Sequence, residues 1–444
     1  MDWPRLISTR RLGRAPAPDS AQQPRTEFTR DYDRIIFSSA FRRLQDKTQV
    51  FPLARNDYVR TRLTHSLEVA SVGRSLGMLA ADVILRREPE LSARVSAHDI
   101  GTIVATACLA HDIGNPPFGH SGEAAIQEWF AAHDMCGQMT AAERIDLLKF
   151  EGNAQGLRTL CTLHNAPQRG GMQLTAAVLG AFTKYPRASL VDSAQQTGVS
   201  GKKFGFMQSE AALFEELADA LGLVRKPGAA PAWHRHPLAF LVEAADDICY
   251  HVIDAEDGFK TGCLSFEELC TLHRPWLNAA QWARGEGIAD RARRVEYFRA
   301  VTVDAMVQAM VRAFDDHYDA LMNGSFDDEL ASRIDLHREL KAFTEVESRK
   351  IYTSRPVVEV LACGFEVIGG LLDSFVDAIE VAAGQRAGGP LKSRTLLGLM
   401  PEPQVEAGKL AAYQRALLAT DYVVGMTDSF ALGLYRRIRG IALP

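Results

Sequence analysis

The chain has 444 residues, 47% of them hydrophobic and 24% charged, with 50 lysines and arginines against 55 aspartates and glutamates. This composition is that of an ordinary globular protein, and it excludes a disordered chain, a collagen-like chain and a small disulfide scaffold. The formal net charge of −5 gives no bulk attraction to nucleic acid or to an anionic membrane.

The charge is uneven along the chain. Residues 1–62 hold 13 basic and 7 acidic side chains, and this local excess of positive charge favours contact with a polyanion there. The seven cysteines are scattered without a C-x-x-C pair, which is typical of free thiols in a reducing compartment. The sequence shows no signal peptide and no run of about 18 apolar residues. We therefore expect a soluble, cytoplasmic protein with no membrane segment.

Helical periodicity dominates the pattern. Residues 13–27 are rich in proline, alanine and polar residues and predict a loop or mobile arm, with order beginning near Phe28. After this point, apolar residues recur at three- and four-residue spacing. The stretches with this spacing are 63–87, 99–110, 122–132, 211–223, 238–253 and 295–321. Loops are expected near 135–141, 186–204, 225–237 and 384–393. We predict an all-α fold in which a short hairpin near 183–206 is the exception.

One of three His-Asp dipeptides stands in a special context. His111-Asp112 ends an apolar helix and runs directly into a loop rich in glycine and proline, which fixes a tight turn. His120 and Glu123 lie beyond this turn, and both can fold back toward the end of the helix that carries His111. At a helix terminus both side chains of the dipeptide can reach one metal ion. The alternative is a capping aspartate beside a packed histidine.

Two further segments carry candidate ligands. His65 lies at the start of a long predicted helix, and Arg62 in the turn before it suits a phosphate oxygen, as a helix N-terminus does. In the helix 238–253, Asp246 borders the buried face, whereas Asp247 and His251 are predicted to face solvent. We choose Asp246 as the inward carboxylate. The alternative for this helix is an exposed acidic face with no ligand.

Together these segments resemble the bacterial deoxyguanosine triphosphate triphosphohydrolase family of the HD-domain phosphohydrolase superfamily. The runs that carry the resemblance are QDKTQVFPL (45–53), RTRLTHSLEV (60–69), HDIGNPPFGHSGEA (111–124), FEGNAQG (150–156) and EAADDICY (243–250). The similarity extends over about 30–260 and resumes weakly at 422–437. It implies three regions, namely a basic N-terminal arm (1–29), an HD-domain catalytic core (30–265) and a helical C-terminal region (266–444) packed on the core as one body.

The resemblance implies a metal-dependent hydrolase. Its metal set maps onto His65, His111, Asp112 and Asp246, and such a mixed nitrogen and oxygen site suits Mn²⁺, Mg²⁺, Co²⁺ or Ni²⁺. A metal ion there lowers the pKa of bound water and polarises a phosphoryl oxygen. The same resemblance makes His120 and Glu123 the catalytic pair for proton transfer. The alternative is that His120 merely caps the helix that follows it.

The resemblance also implies a nucleotide pocket. Tyr250 is expected to cover the deoxyribose and exclude a 2′-hydroxyl, while Asp254 accepts the 3′-hydroxyl. The other predicted substrate contacts are Gln49, Val50, Arg62, Asn115, Asn153, Lys184, Tyr185 and Lys203.

The expected reaction is hydrolysis of dGTP, or of another dNTP, to deoxynucleoside and inorganic triphosphate. A homo-oligomer is expected, with single-stranded DNA or a nucleotide as candidate effector. One alternative is a different HD enzyme, such as a nucleotide phosphodiesterase or 5′-nucleotidase, which would give different products. The other is a non-catalytic regulator that binds a nucleotide or DNA.

Overall fold

The computed structural model describes residues 1–14, 25–50, 59–164, 169–401 and 406–442. Helices dominate these residues, and the β-type pairings among them are isolated bridges. The prediction of an all-α fold is therefore confirmed. No helix in the described ranges has both the length and the apolar character that a bilayer crossing requires.

The helices in the first part of the chain are α1 (Trp3–Leu6), α2 (Glu27–Ile36), α3 (Ser39–Arg43), α4 (Arg62–Arg87), α5 (Ala97–Ala110), α6 (His120–Ala132), α7 (Ala141–Leu148), α8 (Gly152–Arg158), α9 (Ala176–Phe182), α10 (Ala211–Leu221) and α11 (Pro237–Lys260). Those that follow are α12 (Phe266–His273), α13 (Ala279–Glu286), α14 (Arg291–Asp316), α15 (Tyr318–Asn323), α16 (His337–Lys350), α17 (Arg355–Ala382), α18 (Pro390–Leu397), α19 (Ala412–Val424) and α20 (Asp428–Ile438).

Local sequence signals fix the ends of the helices that lead to the cavity described below. Ser96 and Asp99 form a reciprocal capping box at the start of α5, because the backbone N–H of each donates to the side chain of the other at 3.0 and 3.2 Å. Pro237 occupies the first turn of α11, where a missing N–H costs nothing. The start of α11 is also capped by His236 Nδ1, which accepts from the N–H of Leu238 at 3.0 Å.

Two hydrophobic clusters organise the helices. The larger cluster lies among α4, α5, α9, α11 and α14, and the smaller one among α6, α17, α19 and α20. The chain passes from the larger cluster to the smaller one between α5 and α6, in the loop that carries the glycines and prolines. Residues on either side of this loop can therefore face a cavity between the two clusters.

The expectation that order begins near Phe28 is wrong. Helix α1 precedes it, and both Trp3 and Leu6 are buried in the larger cluster. The indole Nε1 of Trp3 donates to the hydroxyl of Tyr318 at 2.7 Å. A helix of four residues is too short to show a periodic pattern, so its two buried side chains were not recognised. Residues 15–24, most of the predicted mobile arm, lie outside the described residues, and the division at 29/30 and 265/266 stays a prediction.

Three local predictions are also corrected. No hairpin forms over 183–206, because short turns interrupt this segment and Ala188 pairs in parallel with Phe206 through an isolated bridge. The predicted helix 295–321 is two helices, α14 and α15, since the backbone leaves the helical conformation at His317. The predicted loop 384–393 is shorter than expected, because Pro390 opens α18.

Candidate active site

A cavity of about 440 Å³ opens where the two clusters meet. Fifteen of the sixteen residues predicted for the site line it. They are Gln49, Val50, Arg62, His65, His111, Asp112, Asn115, His120, Glu123, Asn153, Lys184, Tyr185, Lys203, Asp246 and Tyr250. The remaining residue, Asp254, does not line it. Part of the matching run 45–53, namely Phe51, Pro52 and Leu53, lies outside the described residues.

Three helices bring metal-ligating atoms to one point. His65 stands in the first turn of α4, His111 directly follows α5, and Asp246 lies near the middle of α11. Asp246 Oδ1 is 3.1 Å from His65 Nε2 and 3.5 Å from His111 Nε2. Ligand atoms of the three residues lie within 4.8 Å of one another. Such a cluster has the donor types and the spacing to hold one divalent ion.

The ring of His111 is oriented by the backbone. Its Nδ1 lies 2.7 Å from the carbonyl oxygen of Cys108, to which it can donate, so Nε2 is the ring nitrogen that faces Asp246. Burial lowers the pKa of His111, but the carboxylates of Asp112 and Asp246 outweigh it and raise the pKa to about 9. The same negative field that holds a proton on this imidazole also favours a divalent cation.

Asp112 joins this cluster from one side. Its Oδ1 accepts hydrogen bonds from Arg62 Nη1 at 2.8 Å and Asn115 Nδ2 at 2.5 Å. Its Oδ2 is buried and has no hydrogen-bond partner among the described residues. An unpartnered buried carboxylate oxygen is costly unless a cation meets it. The cluster of His65, His111 and Asp246 therefore fits a divalent ion, and Asp112, which lies outside this three-residue cluster, offers Oδ2 as a further oxygen beside it.

Arg62 is held by a carboxylate beside the predicted phosphate pocket. The side chain is buried, and its guanidinium donates to Asp112. The guanidinium of Arg62 has space because residue 119 is a glycine. A Cβ atom there would lie only 2.9 Å from Arg62 Nη2. Gly119 also has a positive φ of 58°, which a side chain would oppose. Arg62 thus lines the cavity while compensating the charge of Asp112.

His120 and Glu123 form a hydrogen-bonded pair. His120 Nδ1 is 2.9 Å from Glu123 Oε2, and Glu123 Oε1 accepts from the backbone N–H of Gly152 at 2.8 Å. The carboxylate is buried, whereas the imidazole side chain is 83% exposed. Burial raises the pKa of Glu123, but the hydrogen bond from His120 and the charge of Lys203 outweigh it, so the pKa is lowered. The buried carboxylate of Glu123 therefore orients the imidazole of His120, a group that can take up or release a proton, toward the cavity.

Two buried glutamates hold the lysines of the cavity. Lys184 Nζ lies 3.2 Å from Glu243 Oε1, and Lys203 Nζ lies 3.0 Å from Glu151 Oε1. Asn153 Nδ2 also donates to Glu151 at 2.7 Å. Sequence reasoning missed the roles of Glu151 and Glu243. Both stand in the matching runs, but the lysine that each one holds lies more than 50 residues away, where no local spacing could indicate it.

The wall beside the cluster is aromatic. Tyr250 stacks on Tyr352 with 6.0 Å between ring centroids, and both rings line the cavity. The hydroxyl of Tyr352 donates to Asp254 Oδ2 at 2.9 Å. Asp254 is 1% exposed and does not line the cavity, because Tyr352 lies between them. The prediction that Asp254 meets a 3′-hydroxyl does not fit this placement, because the residues following α16, which the motifs do not cover, close over it.

The prediction that Asp247 and His251 face solvent is wrong. Helix α16 packs on this side of α11, and His251 Nδ1 lies 3.3 Å from the buried Glu347. Asp247 is half-buried. Burial raises its pKa to about 7, although the charge of Lys184 opposes this shift. Asp247 is not part of the cluster formed by His65, His111 and Asp246.

Comparison with known proteins gives full-length matches. The family model described as HD domain matches residues 62–170. The chain is 42% identical to a deoxyguanosinetriphosphate triphosphohydrolase-like protein of Synechocystis sp., over 100% of both chains. It is 40% identical to a protein of the same description from Pseudomonas aeruginosa, again over 100% of both chains. It is 32% identical to a deoxyguanosinetriphosphate triphosphohydrolase of Klebsiella pneumoniae, over 99% of both chains.

Proposed function

The chain belongs to the deoxyguanosinetriphosphate triphosphohydrolase family of HD-domain proteins, and we propose that it hydrolyses a deoxynucleoside triphosphate, with dGTP as the first candidate. The products are the deoxynucleoside and inorganic triphosphate. The observation that carries this proposal is the convergence of His65, His111 and Asp246 beside the His120–Glu123 pair in one cavity. A homo-oligomer and an effector, either single-stranded DNA or a nucleotide, remain predictions.

A divalent ion would be held by His65, His111, Asp112 and Asp246. The mixed nitrogen and oxygen donors suit Mn²⁺, Mg²⁺, Co²⁺ or Ni²⁺. When bound, such an ion supplies Lewis-acid polarisation of a phosphoryl oxygen. Arg62 and Asn115 hold Asp112 in place through its other oxygen, as outer partners of metal ligands commonly do.

The remaining chemistry belongs to side chains of the cavity. In the proposed reaction the oxygen of water bonds to the α-phosphorus and releases a proton, the bond from that phosphorus to the 5′-oxygen breaks, and the leaving oxygen takes up a proton. His120, oriented by Glu123, is placed to move that proton. Lys184 and Lys203 bring positive charge to the cavity for the phosphate oxygens.

The sugar is selected by shape in this proposal. The ring of Tyr250, backed by Tyr352, forms an aromatic wall that would press on the 2′-carbon. A hydroxyl at that carbon would have no space beside the ring. The pocket therefore favours deoxyribose by exclusion, which is the discrimination that an apolar wall can supply.

The test of the function is product analysis. Each dNTP is incubated with the protein and Mn²⁺ or Mg²⁺, and the products are separated by chromatography. The proposal predicts deoxynucleoside and triphosphate in equal amounts. Deoxynucleoside monophosphate with pyrophosphate would indicate a phosphodiesterase, and hydrolysis of nucleoside monophosphates alone would indicate a 5′-nucleotidase.

The metal set is tested with two neighbouring aspartates of α11. Asp246→Asn removes a charged ligand atom from the cluster and is expected to weaken Mn²⁺ binding by at least the 10- to 100-fold that loss of a residue orienting a metal ligand typically costs. The matched variant Asp247→Asn should keep the parent affinity. Bound metal is measured by elemental analysis after dialysis. Retention by Asp246→Asn together with loss by Asp247→Asn would reverse the assignment.

The role of His120 is tested by His120→Ala. Removal of a positioned general acid or base lowers the rate by about 10²- to 10⁴-fold, so kcat for dGTP should fall by this factor. Bound metal and KM should change little, because the imidazole is not a ligand of the cluster. The exposed His98, which stands in another His-Asp dipeptide, supplies the control His98→Ala with parental kcat. Undiminished kcat in His120→Ala would refute the assignment.

Sugar selection is tested at Tyr250. Tyr250→Ala should lower the ratio of kcat/KM for dGTP over GTP by roughly 10- to 100-fold, the range of discrimination that apolar pockets provide. Tyr250→Phe keeps the ring and should keep the ratio. If Tyr250→Ala stays as selective as the parent while remaining active, the ring is not the sugar gate, and the loop at Gln49 becomes the better candidate.

A further inference from the structure

A buried carboxylate from the last helix connects two loops of the cavity. Asp428 is the first residue of α20 and is 1% exposed. Its Oδ2 accepts hydrogen bonds from the N–H and the hydroxyl of Thr48, at 3.0 and 2.6 Å. Its Oδ1 accepts from the N–H of Phe118 at 3.0 Å. One side chain near the C-terminal end thus joins two segments that are distant from it and from each other in sequence.

The first of these segments carries two of the predicted substrate contacts. Thr48 immediately precedes Gln49 and Val50, which line the cavity. The same segment is bonded to the entry of α4, because the N–H of Arg62 donates to the carbonyl of Lys47 at 3.0 Å. The hydrogen bonds of Asp428 therefore hold residues 47–50, which connect the cavity wall at Gln49 with α4, the helix that carries His65.

The second segment carries the catalytic pair. Phe118 has a positive φ of 63°, a conformation that residues other than glycine adopt only where surrounding contacts hold them. Gly119 follows, and His120 begins α6 directly after it. A hydrogen bond to a charged carboxylate is stronger than one to a neutral acceptor. Asp428 is thus a strong constraint on the strained backbone that leads to His120.

A second link runs beside the first. The Nζ of the buried Lys47 donates to the carbonyl of Asn115 at 2.5 Å and to that of Val424, at the end of α19, at 2.8 Å. The C-terminal helices α19 and α20 therefore contact the same two cavity segments through two independent side chains. Asp428 is the one that bonds directly to the backbone next to His120.

We infer that Asp428 is a positioning residue, which sets the distance between the loop at Gln49 and the His120–Glu123 pair. It does not line the cavity and touches no reacting atom. Its effect is exerted through His120, because it fixes the turn from which the imidazole projects. This inference rests on the proposed function, in which a nucleotide spans the space between the two segments. A misplacement of about 1 Å at such a distance can cost about 10²-fold in rate.

The test is a double-mutant cycle with His120. Asp428→Asn keeps the shape of the side chain but leaves one acceptor oxygen for donors on both sides. We expect kcat for dGTP to fall by about 10²-fold with bound metal unchanged. In the His120→Ala background the same substitution should cost less than about 3-fold, because residues that act as a unit are not additive. An equal factor in both backgrounds, or no loss in the single variant, would overturn the inference.

Asp421 supplies the matched control. It is a carboxylate of α19 whose side-chain hydrogen bonds go to Arg158 and Gln155 rather than to Thr48 or Phe118. Asp421→Asn should lower activity only through stability, and by the same factor with or without His120. All rates are measured well below the unfolding temperature of each variant. Should Asp428→Asn fold poorly, Thr48→Val removes only the hydroxyl donor and should show the same non-additivity at smaller size.

Amide hydrogen exchange separates this inference from the proposed function. Asp428→Asn should speed exchange in peptides covering 48–50 and 118–120, whereas Asp421→Asn should not. Unchanged exchange in both peptides would overturn the inference even if the parent hydrolyses dGTP. A parent inactive toward every dNTP would refute the proposed function, while the exchange result still decides whether Asp428 holds the two segments.

Discussion

The site depends on one carboxylate oxygen, Asp246 Oδ1, which faces the imidazoles of His65 and His111 at 3.1 and 3.5 Å. For these atoms to meet, the first turn of α4, the end of α5 and the middle of α11 must pack side by side. Burying such charges is costly unless they are paired. The arrangement is compensated by Arg62, which donates to Asp112, and the negative charges of Asp112 and Asp246 raise the pKa of His111 and favour a cation at this point. The packing of α4, α5 and α11 therefore determines both the larger hydrophobic cluster and the arrangement of charges in the cavity.

The second half of the chain completes the site from outside the HD domain. Tyr352, which follows α16, backs Tyr250 and covers Asp254, while α19 and α20 hold the loops at Thr48 and Phe118. The imidazole of His120, the proposed proton donor, is exposed, whereas the carboxylate of Glu123 and the side chain of Phe118 near it are buried. A reactive side chain can be mobile and still well placed when its carboxylate partner and its backbone are fixed from two sides.

Much of this architecture was predictable from the sequence, and the failures have physical causes. Long helices such as α4 and α11 can be predicted from the three- and four-residue spacing of their apolar residues. Helix α1 is too short to show this spacing, although Trp3 is buried. His65 and His111 stand at helix ends, and Asp246 borders the apolar face of α11, so the resemblance of their motifs could predict that they meet in one cavity. Periodicity gives the face of a helix but not its partner. His251 was therefore expected in solvent, and the contacts of Glu151, Glu243 and Asp428 could not be foreseen.

The most direct test of the chemistry is to follow the oxygen of water. When dGTP is hydrolysed in water labelled with heavy oxygen, attack at the α-phosphorus with departure of the 5′-oxygen places one label on the triphosphate and none on deoxyguanosine. That result is expected if His120 moves a proton at the 5′-oxygen. Label in the 5′-hydroxyl of deoxyguanosine would mean attack at carbon, and labelled dGMP or pyrophosphate would mean cleavage of a different bond. Either outcome would contradict the role assigned to the cavity.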